Sequence, residues 1–123
     1  MSNFDYPVAY LEDFDFTKEG ELSNKEISTD MPVVVMIQSS WCGHCKKAKP
    51  AFQEFANKMQ GKVFCATIQA DGDRQSEKDL GKRLKTLKPS FIGFPDYLLI
   101  KNGKITDKNT NGREVDDLIE FSS

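Results

Sequence analysis

The chain predicts an α/β fold, a central mixed β-sheet of four to five strands with helices on both faces. Three observations carry this. Residues 32–37 and 63–68 are continuous apolar runs rich in β-branched side chains, the mark of strands buried on both faces. Strand-like runs alternate with segments of helical spacing, which favours a layered sheet-and-helix architecture. Asn102-Gly103 lies between apolar runs, and both positions tolerate positive φ, so it predicts a tight hairpin and one antiparallel pair.

Taken in order, residues 1–31 are weakly patterned and rich in Asp and Glu. Val8-Ala9-Tyr10-Leu11 reads as a short strand, and Asp13-Phe14-Asp15-Phe16 alternates acid and aromatic as an edge strand would. The run 32–37 is the first buried strand. Ala48, Phe52, Phe55 and Met59 then recur at four, three and four residues and share one face of a helix. Gly61 should end that helix, and Pro50 inside it should kink it. The run 63–68 is the second buried strand. Leu80, Leu84 and Leu87 mark a short helix, and residues 89–95 a loop. Residues 97–100 form a strand, the Asn102-Gly103 turn reverses the chain, and Ile105 opens the return strand. Val115, Leu118 and Ile119 face one way on a last helix, with Glu114, Asp116 and Asp117 at its start, where the helix dipole favours anions.

A chain of 123 residues is expected to be one domain, here residues 1–123 with the core fold over 32–121. Apolar residues are 38%, and nine Phe, three Tyr and one Trp supply core anchors, so disorder is excluded. Seventeen basic against nineteen acidic residues argue against a nucleic-acid surface. The longest apolar run, 31–37, falls far short of the roughly 20 residues that span a membrane. Residues 1–7 lack the basic and apolar regions of a secretory leader, and the last four are no retention signal. The expectation is a cytoplasmic monomer. Three cysteines exclude a disulfide-dense scaffold.

The sharpest motif is Trp41-Cys42-Gly43-His44-Cys45-Lys46, between the first buried strand and the long helix. Thiols two residues apart at a helix start are placed to close a disulfide. At Cys42 the free backbone N–H groups and the helix dipole favour an ionised sulfur; Cys45, one turn deeper, is shielded and placed to attack a mixed disulfide. A zinc half-site has the same spacing, but three Cys and one His are a poor source of four ligands, and His44 lies inside the Cys42–Cys45 loop. No metal or organic cofactor is expected. Cys65, mid-strand between apolar neighbours, reads as a small buried hydrophobe.

These residues resemble the active site of the thioredoxin superfamily, and Cys42-Gly43-His44-Cys45 is the form typical of protein disulfide isomerase domains. The likeness extends over about residues 32–121. Pro50 stands where the family places a helix proline, Phe94-Pro95 matches its cis-proline, residues 98–104 resemble its hairpin, and residues 111–119 are similar to the isomerase-type ending. The resemblance implies thiol–disulfide exchange with protein thiols and disulfides, recycled by a reductase or oxidase. It implies Cys42 as nucleophile and Cys45 as the resolving thiol. Gly43 and His44 would tune the redox potential toward the isomerase end. Arg113 would swing toward the resolving cysteine, and Trp41, Phe94 and Pro95 would flank the substrate chain.

The sequence departs from the family where a buried acid usually precedes the first cysteine by six residues: here stands Met36. The lysine that pairs with that acid corresponds to about Thr67, so both charges are missing together. Asp96, after Pro95, is a candidate proton acceptor for Cys45 in their place. The rival reading from another class is a binding or structural module that keeps the fold without redox turnover.

Overall fold

The computed structural model describes residues 3–27 and 30–123. Met1, Ser2, Ser28 and Thr29, within the segment expected to be weakly patterned, lie outside the described residues.

Five strands form one sheet in the order β1-β3-β2-β4-β5: β1 Ala9–Tyr10, β2 Val33–Gln38, β3 Phe64–Gln69, β4 Asp96–Lys101 and β5 Lys104–Ile105. β3 pairs in parallel with both β1 and β2, while β4 runs antiparallel to β2 and β5. All six residues of β2 are buried, as expected of a central strand covered on both sides. The helices are α1 Gly43–Lys58, α2 Gln75–Gly81, α3 Leu84–Leu87 and α4 Val115–Ser122. Side-chain alternation splits the core in two. Val34, Met36, Cys65, Tyr97 and Leu99 pack with residues of α1 and α4. Val35, Ile37, Ile68, Leu98 and Ile100 pack with Leu80, Leu84 and Leu87 of α2 and α3. The mixed sheet with helices on both faces is therefore the observed architecture.

Several boundaries move. The first strand shortens to Ala9–Tyr10. Asp13–Asp15 is a 3-10 helix rather than an edge strand. The cause is Asp15, whose buried carboxylate accepts from the Glu12 N–H at 2.7 Å and from Asn24 Nδ2 at 2.8 Å; local side-chain bonding defeats the extended form. The single helix expected around Leu80 is two helices. Arg83 leaves helical geometry between them (φ −97°, ψ 2°), and its guanidinium is held by Asp13 at 2.8 Å and by the Thr17 carbonyl. The leucine spacing survives the break because all three side chains enter the same core.

α1 continues through Pro50, and the chain after its last turn passes Gly61 at φ 87°, a left-handed conformation natural to glycine. Asn102 (φ 54°) and Gly103 (φ 80°) make the β4–β5 turn as the sequence predicts. Among the described residues no helix is long and apolar enough to cross a membrane.

Candidate dithiol site

The site sits where β2 gives way to α1. Beyond Gln38 the chain turns, and the Ser39 carbonyl accepts the Cys42 N–H at 3.4 Å. Ser40 ties this turn to the end of β3: its N–H donates to Asp71 Oδ1 at 2.9 Å and its hydroxyl to Oδ2. Burial pushes the Asp71 carboxyl up, but hydrogen bonds, those of Ser40 foremost and those of its own backbone and Gln69 with them, together outweigh it and hold the group below its ordinary value.

Cys42 is the N-cap of α1. Its backbone is extended (φ −88°, ψ 112°), and its Sγ accepts the Cys45 N–H at 3.2 Å. A sulfur thus occupies the place of a capping oxygen and satisfies a first-turn N–H that has no partner within the helix. Cys42 is 6% exposed and Cys45 not at all, the order expected of an outer attacking thiol and an inner resolving one. Both are free thiols in this structure. Burial pushes the Cys45 thiol up to about 12, reinforced by its hydrogen bond with Cys42; a backbone hydrogen bond from Ser39 and the charge of Lys49 pull the other way. Cys65 is likewise pushed up to about 12 by burial alone, as befits an inert core thiol.

Met36 and Thr67 lie side by side in the β2–β3 register, both fully buried. A neutral ladder takes the place of the two charges missing there. Thr67 Oγ1 donates to the Met36 carbonyl at 2.8 Å and accepts from Gln38 Nε2 at 3.1 Å. Gln38 and Lys49 escaped the sequence reading. Cys45, Ala48, Lys49 and Phe52 repeat at helical spacing, and that signal places Lys49 on the buried face, where it is 2% exposed.

The loop before β4 brings the other predicted residues together. The Phe94–Pro95 bond is cis, as expected; Tyr6–Pro7 is a second cis bond. Trp41, 71% exposed, meets Phe94 edge-on at 5.5 Å, and Phe94 meets Phe91 at 5.3 Å, so one aromatic chain joins the cysteine loop to the Pro95 loop. Beside Pro95 opens a cavity of about 660 Å³ lined by Ile92, Phe94, Tyr97 and Arg113 among others; neither cysteine lines it. Arg113 is exposed at this rim. Gly43 and His44 are exposed on the first turn of α1, and a side chain added at Gly43 would meet nothing within 4 Å. Asp96 is engaged by neighbours: its Oδ1 accepts from Lys88 Nζ at 2.9 Å and from the Tyr97 N–H at 2.8 Å.

Tyr97 stands directly across from Met36 on β4 and is 1% exposed. Burial raises its phenol, while the Arg113 charge lowers it. Its hydroxyl finds no hydrogen-bond partner among the described residues, nor do Gln38 Oε1 and Ser39 Oγ. A buried hydroxyl left unsatisfied costs about 1–3 kcal/mol. Tyr97→Phe should therefore raise the melting temperature by a few degrees, measurable by calorimetry; a lower melting temperature would mean that the hydroxyl is satisfied in solution.

A dithiol at a helix N-terminus, its first sulfur capping the helix and its second fully buried, with a cis-proline loop joined to it through Trp41 and Phe94, defines a thiol–disulfide exchange domain. The model of the thioredoxin family matches residues 16–123, and the chain belongs to that family. It is 39% identical over 130 residues to the thioredoxin-like protein 453L of Invertebrate iridescent virus 6, covering 96% of this chain and 94% of that one. It is 34% identical over 98 residues to protein disulfide-isomerase A4 of Caenorhabditis elegans, covering 77% of this chain and only 14% of the relative. In structure it is similar to human ERp44, with a TM-score of 0.69 at 18% identity over 98% of this chain and 30% of that one. The protein disulfide isomerase likeness read from Cys42-Gly43-His44-Cys45 thus has a counterpart among relatives in sequence.

Proposed function

We propose that the chain works as one domain that exchanges a dithiol for a disulfide with protein substrates. The observation that carries this reading is the Cys42 sulfur capping α1 with Cys45 buried one turn behind it. Cys42 attacks a substrate disulfide, forms a mixed disulfide and releases one substrate thiol. Cys45 then attacks Cys42, closing the Cys42–Cys45 bond and releasing the second; an oxidised pair runs the same steps backward. Trp41, Phe94 and Pro95 flank the substrate segment, and a cellular reductase or oxidase recycles the pair.

The direction follows from the dipeptide between the thiols. His44 placed beside Cys42 favours the ionised sulfur when its imidazole is charged, which stabilises the dithiol form and makes the disulfide more oxidising. We infer a potential nearer the roughly −180 mV of protein disulfide isomerase than the roughly −270 mV of thioredoxin. In a reducing cytoplasm, the address expected from the sequence, such a pair would spend most of its time as the dithiol. The tests are insulin reduction, refolding of a scrambled disulfide protein, and a potential measured against glutathione. His44→Pro should move the potential tens of millivolts more negative. Neither activity from an intact fold would favour the binding-module reading instead, which draws its support from Met36, Thr67 and the strongly raised Cys45 thiol.

A further inference from the structure

Resolution by Cys45 meets a physical obstacle. The thiol is fully buried and held protonated by burial, and β2 and β3 offer Met36 and Thr67 rather than a charged pair. Yet it must ionise to attack. One cationic side chain is built into the same buried face. Lys49 lies four residues after Cys45 on α1 and is itself 2% exposed. Residues four apart on a helix are stacked neighbours, so Lys49 and Cys45 share one buried face of α1.

We propose that Lys49 is the positioning charge for the resolving step: its ammonium stabilises the Cys45 thiolate during attack on the mixed disulfide. This rests on the exchange reading above. The influence runs both ways. The Lys49 charge draws the Cys45 thiol down, and a Cys45 thiolate draws the lysine up against the burial that lowers it. The other groups acting on Lys49 are Lys46, which lowers it, and Asp71 after β3 and Cys42, which raise it. Tyr97 on β4 shares an electrostatic interaction with Cys45. In the step itself the Cys45 thiol gives up its proton, its sulfur pair forms the bond to Cys42 Sγ, and the Cys42–substrate S–S bond breaks. The departing substrate sulfur leaves with that electron pair and takes up a proton. Two electrons pass from the two protein thiols to the substrate disulfide.

The experiment follows each cysteine separately by stopped flow with a small aromatic disulfide that releases a coloured thiolate. The first release reports attack by Cys42, the second closure by Cys45. Lys49→Met should leave the first within a few-fold and slow the second by about tenfold or more. Its rise with pH should be displaced upward by about one pH unit, the shift expected when a nearby opposite charge is removed. Lys49→Arg, which keeps the charge, should restore both the rate and the profile. An unchanged closure profile in Lys49→Met would overturn the proposal, and so would Lys49→Arg closing as slowly as Lys49→Met. The reagent needs no protein substrate. A chain that closes its disulfide but neither reduces insulin nor refolds a scrambled disulfide protein would therefore sink the exchange reading while still deciding the role of Lys49.

Discussion

Cys42→Ser should lower insulin reduction by on the order of a thousandfold or more, because the attacking sulfur has no substitute in the site. Cys45→Ser should fail differently. It should still form the first bond with substrate, but with nothing behind Cys42 to resolve it, mixed disulfides should accumulate and run as reducible adducts on a gel. Cys65→Ala should trap nothing and keep the exchange rate, since its thiol is 2% exposed and held protonated by burial. The asymmetry between the first two variants separates an outer attacking thiol from an inner resolving one. Equal trapping by both would mean that either sulfur reaches substrate, contrary to the burial order of 6% and zero. No trapping by Cys45→Ser, with the fold intact, would remove the exchange reading altogether. The trapped proteins would also identify the substrates.

Much of the architecture was legible because its signals are local. β2 and β3 announce themselves as unbroken apolar runs, α1 by the spacing of Ala48, Phe52 and Phe55, and the β4–β5 turn by Asn102-Gly103. The dithiol was legible for the same reason, since its two members lie within one turn of helix. What escaped depends on partners far apart in sequence or on local bonds that override pattern. The acid–aromatic alternation at Asp13–Phe16 resembled a strand until Asp15 closed on the Glu12 N–H. Ser40 and Asp71, thirty-one residues apart, meet only once β2 and β3 lie side by side. Lys49 stands among Lys46 and Lys47 and reads as one more surface charge; only the helix phase it shares with Cys45 sets it apart. Gln38 and Thr67 show what stands where the two charges are missing: neutral hydrogen bonds link β2 and β3 with no unpaired ion, although Gln38 Oε1 keeps no partner among the described residues.

Lys88 and Asp96 offer the largest stability prediction. Lys88 is 3% exposed, and its ammonium donates to Asp96 Oδ1 and to the Tyr97 carbonyl, both at 2.9 Å. The Asp96 side chain is 22% exposed, so the two partners are not equivalent. Removing the carboxylate strands a cation in the core, whereas removing the lysine leaves an anion with some access to water. Asp96→Ala should therefore destabilise the fold by about 3 kcal/mol, the low end of the loss when one member of a buried pair is removed. Lys88→Met should cost less, and the double variant Lys88→Met/Asp96→Ala should recover more than about 1 kcal/mol of the summed losses. Denaturant unfolding of the four proteins closes the cycle, and additivity within about 0.5 kcal/mol would show that the pair is not coupled. A further variant, Asp96→Asn, decides what Asp96 does beside Pro95. If its task is to hold Lys88, Asp96→Asn lowers stability and leaves the pH profile of Cys45 closure where it was. If instead it takes the Cys45 proton, that profile moves. The ion pair committing Oδ1 to Lys88 favours the first outcome, and with it a site in which the charge beside the resolving thiol comes from α1 rather than from the proline loop.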